Sequence, residues 1–162
     1  MKKTIIDLFE DSVVKYGAKT FLLEKKHRAF EPTTYAETKE QALEIGAGLA
    51  AAGIRPGDKV AILSEGCNAW ITSELGVFYA GAVSVPLSVK LAESNDLLFR
   101  MRHAEVRALF VSKYQLSKIR RIRAELPQVE HIIVIGHIPL EAGETALGTL
   151  RRMGRDYLAA NR

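Results

Sequence analysis

A single cysteine, Cys67, excludes an internal disulfide and fits a reducing compartment. No apolar run approaches the roughly 20 residues that cross a bilayer; the longest mostly apolar stretch, residues 75–87, is interrupted by Gly76, Gly81 and Pro86. The N-terminus is basic at Lys2 and Lys3, yet Asp7 arrives before an apolar region of signal-peptide length can develop. These absences predict a cytoplasmic protein, with a peripheral position at a membrane as the secondary expectation. The four histidines, His27, His103, His131 and His137, show no metal-ligand spacing and have no companion cysteines, so they read as structural or solvent-facing. No internal repeat or low-complexity tract is present.

A phosphate loop is also missing. Gly76 and Gly81 have its glycine spacing, but Ala82-Val83 follows where a lysine and a hydroxyl would have to reach phosphate and magnesium, and the same failure removes Gly143 and Gly148. Gly46-Ala47-Gly48-Leu49-Ala50-Ala51 matches the dinucleotide fingerprint as text. It lies inside a predicted helix, so no helix N-terminus faces a pyrophosphate and the glycines read as packing residues.

What is present is an ordinary globular composition. The 162 residues, 48% hydrophobic and 26% charged, fit one domain with a proper core. The organising stretch is 57–87. Gly57-Asp58 breaks the chain after Pro56, and Lys59-Val60-Ala61-Ile62-Leu63 reads as a central strand buried on both faces. Asn68 is the expected cap of a helix running through Trp70, Leu75 and Tyr79 to Gly81. A second strand at 82–85 is stopped by Pro86. Two strands joined by a helix of about four turns lie parallel with a right-handed crossover.

The pattern repeats downstream, with a helix over 93–103, a strand over 106–111, a helix over 115–126 closed by Pro127, and a β-branched strand over 131–135. Upstream, Thr4 caps a helix ending before Gly17, and strands over 20–24 and 28–34 flank a charged turn, with Pro32 marking the second as an edge. Thr34 and Glu37 form a capping box for a long helix over 35–52, on which Ala42, Gly46 and Ala50 make a column of small residues. The predicted fold class is α/β, a three-layer arrangement with a mainly parallel sheet flanked by helices. Residues 57–135 would form its parallel core, and 136–162 a loop (136–148) followed by a terminal helix.

Open parallel sheets bind ligands beyond the C-terminal ends of their strands. The loops to inspect are therefore Ser64-Glu65-Gly66, Pro86-Leu87-Ser88, Ser112-Lys113-Tyr114 and Gly136-His137. Cys67, at a helix N-terminus, could be a reactive thiol, but without a histidine partner a packed side chain is the preferred reading. Trp70 and Tyr79 read as core aromatics. Charge is uneven: residues 1–99 hold 11 basic and 13 acidic side chains, and residues 100–162 hold 12 basic and 6 acidic. From Arg100 to Arg123, eight Lys or Arg face one acid, Glu105. A free-standing module that binds nucleic acid or an anionic membrane through this face is the alternative function. With few interleaved aromatics and no binding motif, a solvated helix face is preferred and nucleic acid is not expected as a partner.

Three motifs resemble the N-terminal part of the adenylate-forming ligases, the superfamily of AMP-forming acyl-CoA synthetases. Thr34-Tyr35-Ala36-Glu37 resembles the Thr-Tyr-x-Glu motif, with Thr38 where leucine is usual. The run from Gly53 to Ile62 is similar to the Gly-Val-x-x-Gly-Asp-x-Val-Ala segment, and the run from Tyr79 to Leu87 to Ala-Gly-Ala-x-x-Val-Pro-Leu. They occur in the family's order, and residues 91–128 and 151–162 look most like bacterial long-chain fatty acid CoA ligases. The resemblance implies a ligase that, when intact, uses ATP, Mg2+ and CoA to convert a fatty carboxylate to an acyl-adenylate and then a thioester. The family's phosphate loop, nucleotide contacts, hinge and catalytic lysine would lie downstream. Carry-over therefore assigns no catalytic, cofactor-binding or metal residue here, and no cofactor to this stretch alone. Residues 1–162 are expected to be the N-terminal fragment of one larger domain, inactive alone, partnered by the remainder of the ligase, with an uncovered apolar face that favours homo-oligomers.

Overall fold

The computed structural model describes residues 3–91 and 93–161. Ala92 lies outside the described residues, as do Met1, Lys2 and Arg162.

The chain opens with α1 (Ile5–Tyr16), the hairpin β1 (Thr20–Lys26) and β2 (Ala29–Thr34), and α2 (Tyr35–Ala51). Both helices start at complete capping boxes. Thr4 Oγ1 accepts from the Asp7 amide at 3.1 Å while Asp7 accepts from the Thr4 amide at 2.8 Å; Thr34 and Glu37 repeat the exchange at 3.2 and 2.7 Å. The hairpin pairs antiparallel, with Pro32 opposite Leu23 on a two-stranded ribbon. Phe9, Phe21 and Tyr35 close a small core between α1, the hairpin and α2, the rings of Phe21 and Tyr35 lying 4.5 Å apart.

The main sheet contains β3 (Lys59–Leu63), β4 (Val83–Pro86), β5 (Val106–Ser112), β6 (His131–Ile135) and β7 (Glu144–Ala146), in the order β4-β3-β5-β6-β7 and parallel throughout. Its helices are α3 (Asn68–Tyr79), α4 (Ser94–His103), α5 (Leu116–Ile122) and α6 (Leu147–Ala160). Strand residues alternate between two cores, the reason the strands read as unbroken apolar runs. Ala61, Leu63, Leu109, Val111, Ile132 and Val134 pack with Leu97 and Met101 of α4 and Leu116 and Ile119 of α5. Val60, Ile62, Phe110 and Ile133 pack on the opposite face with Ile45 and Leu49 of α2, Val77 of α3 and Leu150 of α6. The result is the expected three-layer α/β arrangement.

Four expectations are corrected. The middle strand is β5; β3 is interior but lies beside the edge strand β4, whose position explains the tolerated Pro86. Residues 136–148 are not all loop: Glu144–Ala146 adds a short fifth strand to the sheet, and α6 follows at once from Leu147. Asn68 is the first residue of α3 instead of its cap; Cys67 occupies the cap position, and its side chain makes no capping hydrogen bond. The helix expected over 115–126 ends at Ile122 and continues as a single 3-10 turn, Arg123–Glu125.

Gly46 and Gly48 have opposite packing tasks. A Cβ on Gly46 would come within 2.9 Å of the Gly76 carbonyl of α3, and one on Gly48 within 2.4 Å of the Leu150 carbonyl of α6. The fingerprint-like glycines are therefore where one helix is gripped from two sides.

Candidate functional site

The strands end on a cleft of about 420 Å³ whose lining includes Glu24, Ser64, Glu65, Cys67, Ser112 and Lys113. It lies between β3 and β5. From β3 the chain passes through α3 to β4 on one side, whereas β5 pairs with β3 on the other, so this is the sheet's topological switch point. The cleft gathers Ser64, Glu65, Gly66, Ser112, Lys113, Tyr114 and Gly136 from the inspected loops; Pro86, Leu87, Ser88 and His137 are not part of its lining.

Local structure fixes each side chain. Gly136 turns the chain after β6 at φ +102°, a conformation open to glycine, and the Lys113 stem covers it so closely that a Cβ there would lie 3.0 Å from Lys113 Cδ. The Lys113 amide donates to the Ile135 carbonyl at 2.9 Å, tying the β5 and β6 ends together. Ser64 Oγ donates to the Glu65 carbonyl at 3.0 Å and lies 4.0 Å from Cys67 Sγ. Glu24 reaches from β1 to accept the Asn68 amide at 3.1 Å, and Asn68 Nδ2 donates to Thr33 Oγ1 at 3.3 Å. A carboxylate from the hairpin thus meets the positive end of α3 and joins the small sheet to the large one.

Glu65 is the polar centre of the floor. Gln115 Nε2 donates to its Oε1 at 2.5 Å, whereas its Oε2 is shut off from solvent and has no hydrogen-bond partner among the described residues. Burial acts to raise the carboxyl's pKa, but the neighbouring Ser112 and Gln115 groups and the Lys118 charge outweigh it and hold it below the ordinary glutamate value. The Ser112 hydroxyl faces this carboxylate without reaching hydrogen-bonding geometry; Ser112 is 4% exposed. Glu24 and Gln115 were not among the loop residues singled out from the sequence. Glu24 arrives from a strand 44 residues before the amide it caps, and Gln115 read only as the start of a helix.

The other singled-out residues have packing roles. Cys67 and Trp70 lie against the core shared by α2 and α6. The Tyr79 hydroxyl donates to Glu10 Oε1 at 2.5 Å, and burial together with that carboxylate pushes the phenol well above its usual pKa. His103 stacks on Phe99, and His27 occupies a hairpin turn at φ 54°. Among the described residues, no group of three or more His, Cys, Asp or Glu side chains could hold a metal ion.

The basic segment is largely engaged within the chain. Arg107 bridges Asp58 and Glu130, Arg120 pairs with Glu141 and Glu144, and Lys118 Nζ donates to the Val89 and Leu91 carbonyls. Arg102 and Arg123 donate to the Glu125 and Leu126 carbonyls. Arg100 and Arg121 are exposed. Among the described residues, no helix is long and apolar enough to cross a membrane.

This fold recurs in known proteins. A long-chain-fatty-acid–CoA ligase of Thermus thermophilus is 29% identical over 88% of this chain and 27% of its own length. A chloroplastic long-chain-fatty-acid–[acyl-carrier-protein] ligase of Arabidopsis thaliana is 28% identical over 67% of this chain and 15% of its own. The crystal structure of an anthranilate CoA ligase in complex with anthranoyl-AMP superimposes with a TM-score of 0.83 at 28% identity, covering 91% of this chain and 27% of that one. A long-chain-fatty-acid–CoA ligase from Archaeoglobus fulgidus shares the fold, with a TM-score of 0.80 at 19% identity over 95% of this chain and 30% of that one. The chain thus spans between 15% and 27% of the length of these two curated relatives. The family model for AMP-binding enzymes matches residues 9–156, from the small core of α1 to the last turns of α6, and by that match this chain belongs to the AMP-binding enzyme family.

Proposed function

We propose that this chain is the scaffold segment of a long-chain fatty acid CoA ligase. In the intact enzyme a fatty carboxylate attacks ATP in the presence of Mg2+ to give an acyl-adenylate and pyrophosphate, and the CoA thiol then displaces AMP. The observation that carries the reading is the family match over residues 9–156, supported by relatives whose own names describe ligation of long-chain fatty acids. The chain's own contribution is positional. Its sheet and the helices on both faces hold the strand ends at the switch point, against which the remainder of the ligase assembles.

The segment alone does not adenylate, because none of its strand ends carries a glycine-rich loop able to cradle a triphosphate. Palmitate-dependent ATP–pyrophosphate exchange by the purified 162-residue chain is expected at background. Exchange that rises with enzyme and fatty acid would refute this part of the reading. The remainder of the ligase also covers apolar surface, including Met153, Tyr157 and Leu158 along α6, which are 37–41% exposed. The chain by itself is therefore expected to self-associate, and a monomer at high concentration in sedimentation would count against that assignment.

A further inference from the structure

The two faces of the β1–β2 hairpin differ. Directly opposed residues of an antiparallel pair share a face, so Leu22, Glu24, Glu31 and Thr33 lie on one, and Leu23, Lys25, Phe30 and Pro32 on the other. The first face is turned to the body of the protein: Glu24 accepts the Asn68 amide, and Thr33 Oγ1 accepts from Asn68 Nδ2. The second is turned away from it. Leu23 is 61% exposed and Phe30 66%, with Pro32 exposed beside them, so among the described residues no element covers this face.

The hairpin turns through an unbroken basic run, Lys25-Lys26-His27-Arg28. Its two carboxylates are already used: Glu24 is held at the start of α3, and Glu31 pairs with Lys26 at 2.8 Å. Among the described residues, Lys25 and Arg28 have no ion-pair partner. Lys25 stands opposite Phe30 on the outward face, so its aliphatic stem lies on the apolar side while its ammonium reaches beyond the ring. Exposed apolar side chains and free cations thus meet at one end of one hairpin.

An apolar face can be covered by protein or by lipid, and the charge chooses between them. A protein interface over Leu23 and Phe30 would enclose the adjoining lysine, a residue type depleted from interface cores. The boundary layer of an anionic bilayer instead takes an aromatic ring and a leucine on its apolar side, and lysine and arginine at its phosphates. We propose that the β1–β2 hairpin docks on an anionic lipid bilayer, with Leu23 and Phe30 entering the headgroup boundary and Lys25 and Arg28 bound to lipid phosphates. The proposal rests on the ligase reading for its purpose alone: a long-chain carboxylate partitions into bilayers, and a chain docked there lies where that substrate is dissolved.

The test is flotation of the 162-residue chain with vesicles in a density gradient, in which self-associated protein stays at the bottom. Flotation is expected with an equal mixture of phosphatidylglycerol and phosphatidylcholine, is expected to fall as salt is raised, and is expected to be slight with phosphatidylcholine alone. Lys25→Gln and Arg28→Gln should each weaken binding about fivefold, and Phe30→Ser about tenfold. All three side chains are exposed, so the fold does not depend on them. In a Leu23→Trp variant, the added emission should move to the blue when anionic vesicles are supplied. Equal flotation with neutral vesicles, hairpin variants that float like the wild type, or a Leu23→Trp emission that vesicles leave unmoved would each overturn the proposal. So would loss of flotation on Met153→Gln with Tyr157→Gln, which would place the contact on α6, or a DNA duplex that displaces the vesicles at equal charge, which would make the hairpin a general polyanion site. The assay contains no nucleotide and no fatty acid, so a negative result leaves the ligase reading standing, and failure of that reading leaves a positive result standing.

Discussion

Two glutamates in this fold, Glu44 buried and Glu65 half-buried, have opposite surroundings. Glu44 on α2 is 5% exposed, and each of its oxygens has a cation: Oε2 meets Arg151 Nε at 2.7 Å and Oε1 meets Arg155 at 3.0 Å, both from α6. Glu65, at the strand ends, has one oxygen held by an amide and the other without a hydrogen-bond partner among the described residues. The first carboxylate is fully matched inside one interface, so its role is finished when the chain folds. The second has valence left over. This difference separates a residue that locks two helices from one held by neutral side chains at the strand ends, even though both are glutamates on an apolar scaffold.

The largest effect is expected where α2 and α6 touch backbone to backbone. A Cβ on Gly154 would lie 1.8 Å from the Glu44 carbonyl oxygen, a contact that no rotamer change relieves. Gly154→Val should therefore destabilise by about 3 kcal/mol or more, at the upper end of overpacking costs, as measured by urea unfolding. Removing the charge that joins the same helices should cost less. Taking one partner from a fully buried pair costs about 3–5 kcal/mol. Here the Arg151 and Arg155 side chains are 31% and 51% exposed, so water takes over part of their solvation. Glu44→Gln is expected to cost about 2 kcal/mol. A cost near zero would mean that the glycine contacts alone hold α6.

These contacts show what the sequence could and could not reveal. The parallel α/β core was legible because its signals are local: apolar runs of strand length, a cap at Thr4 and a capping box at Thr34, Pro56 and Pro127 between elements, and Pro86 at the end of β4. The packing role of Gly46 was legible because the fingerprint fell inside a helical period. β7 was not, since Glu144, Thr145 and Ala146 are too few to show a period and are held by pairing with β6. The Asn68 cap failed for a related reason. The carboxylate that accepts the first α3 amide, that of Asn68, belongs to Glu24, on a strand of the other sheet, and no local pattern announces a cap supplied from there. The strand-end loops could be named in advance. That Gln115 would engage Glu65 could not, because it depends on how α5 is laid over the sheet.

Acid sharpens the comparison next. The Glu65 carboxyl titrates below the ordinary glutamate value of 4.5, so folding binds its charged form more tightly than the unfolded chain does. That contribution is complete above the ordinary value and disappears as pH falls through the lower folded value. Unfolding free energies measured between neutral pH and pH 3 should therefore decline less steeply for Glu65→Gln than for the wild type. Parallel curves would show that Gln115 and the Lys118 charge do not hold the carboxylate.

The smallest effect is the most pointed. Ser112 is as buried as a core residue, yet among the described residues its hydroxyl, though it faces Glu65, has no partner in hydrogen-bonding geometry. In a hydroxyl kept for stability, loss of the oxygen would cost about 1 kcal/mol, the net worth of its hydrogen bond. Here there is no bond to lose, and the folded state already carries the cost of an unsolvated polar atom. Ser112→Ala should accordingly leave stability unchanged or raise it by up to about 1 kcal/mol in the same urea assay. A destabilised variant would mean the hydroxyl is satisfied in solution by Glu65, and the two glutamates would then differ only in the identity of their partners.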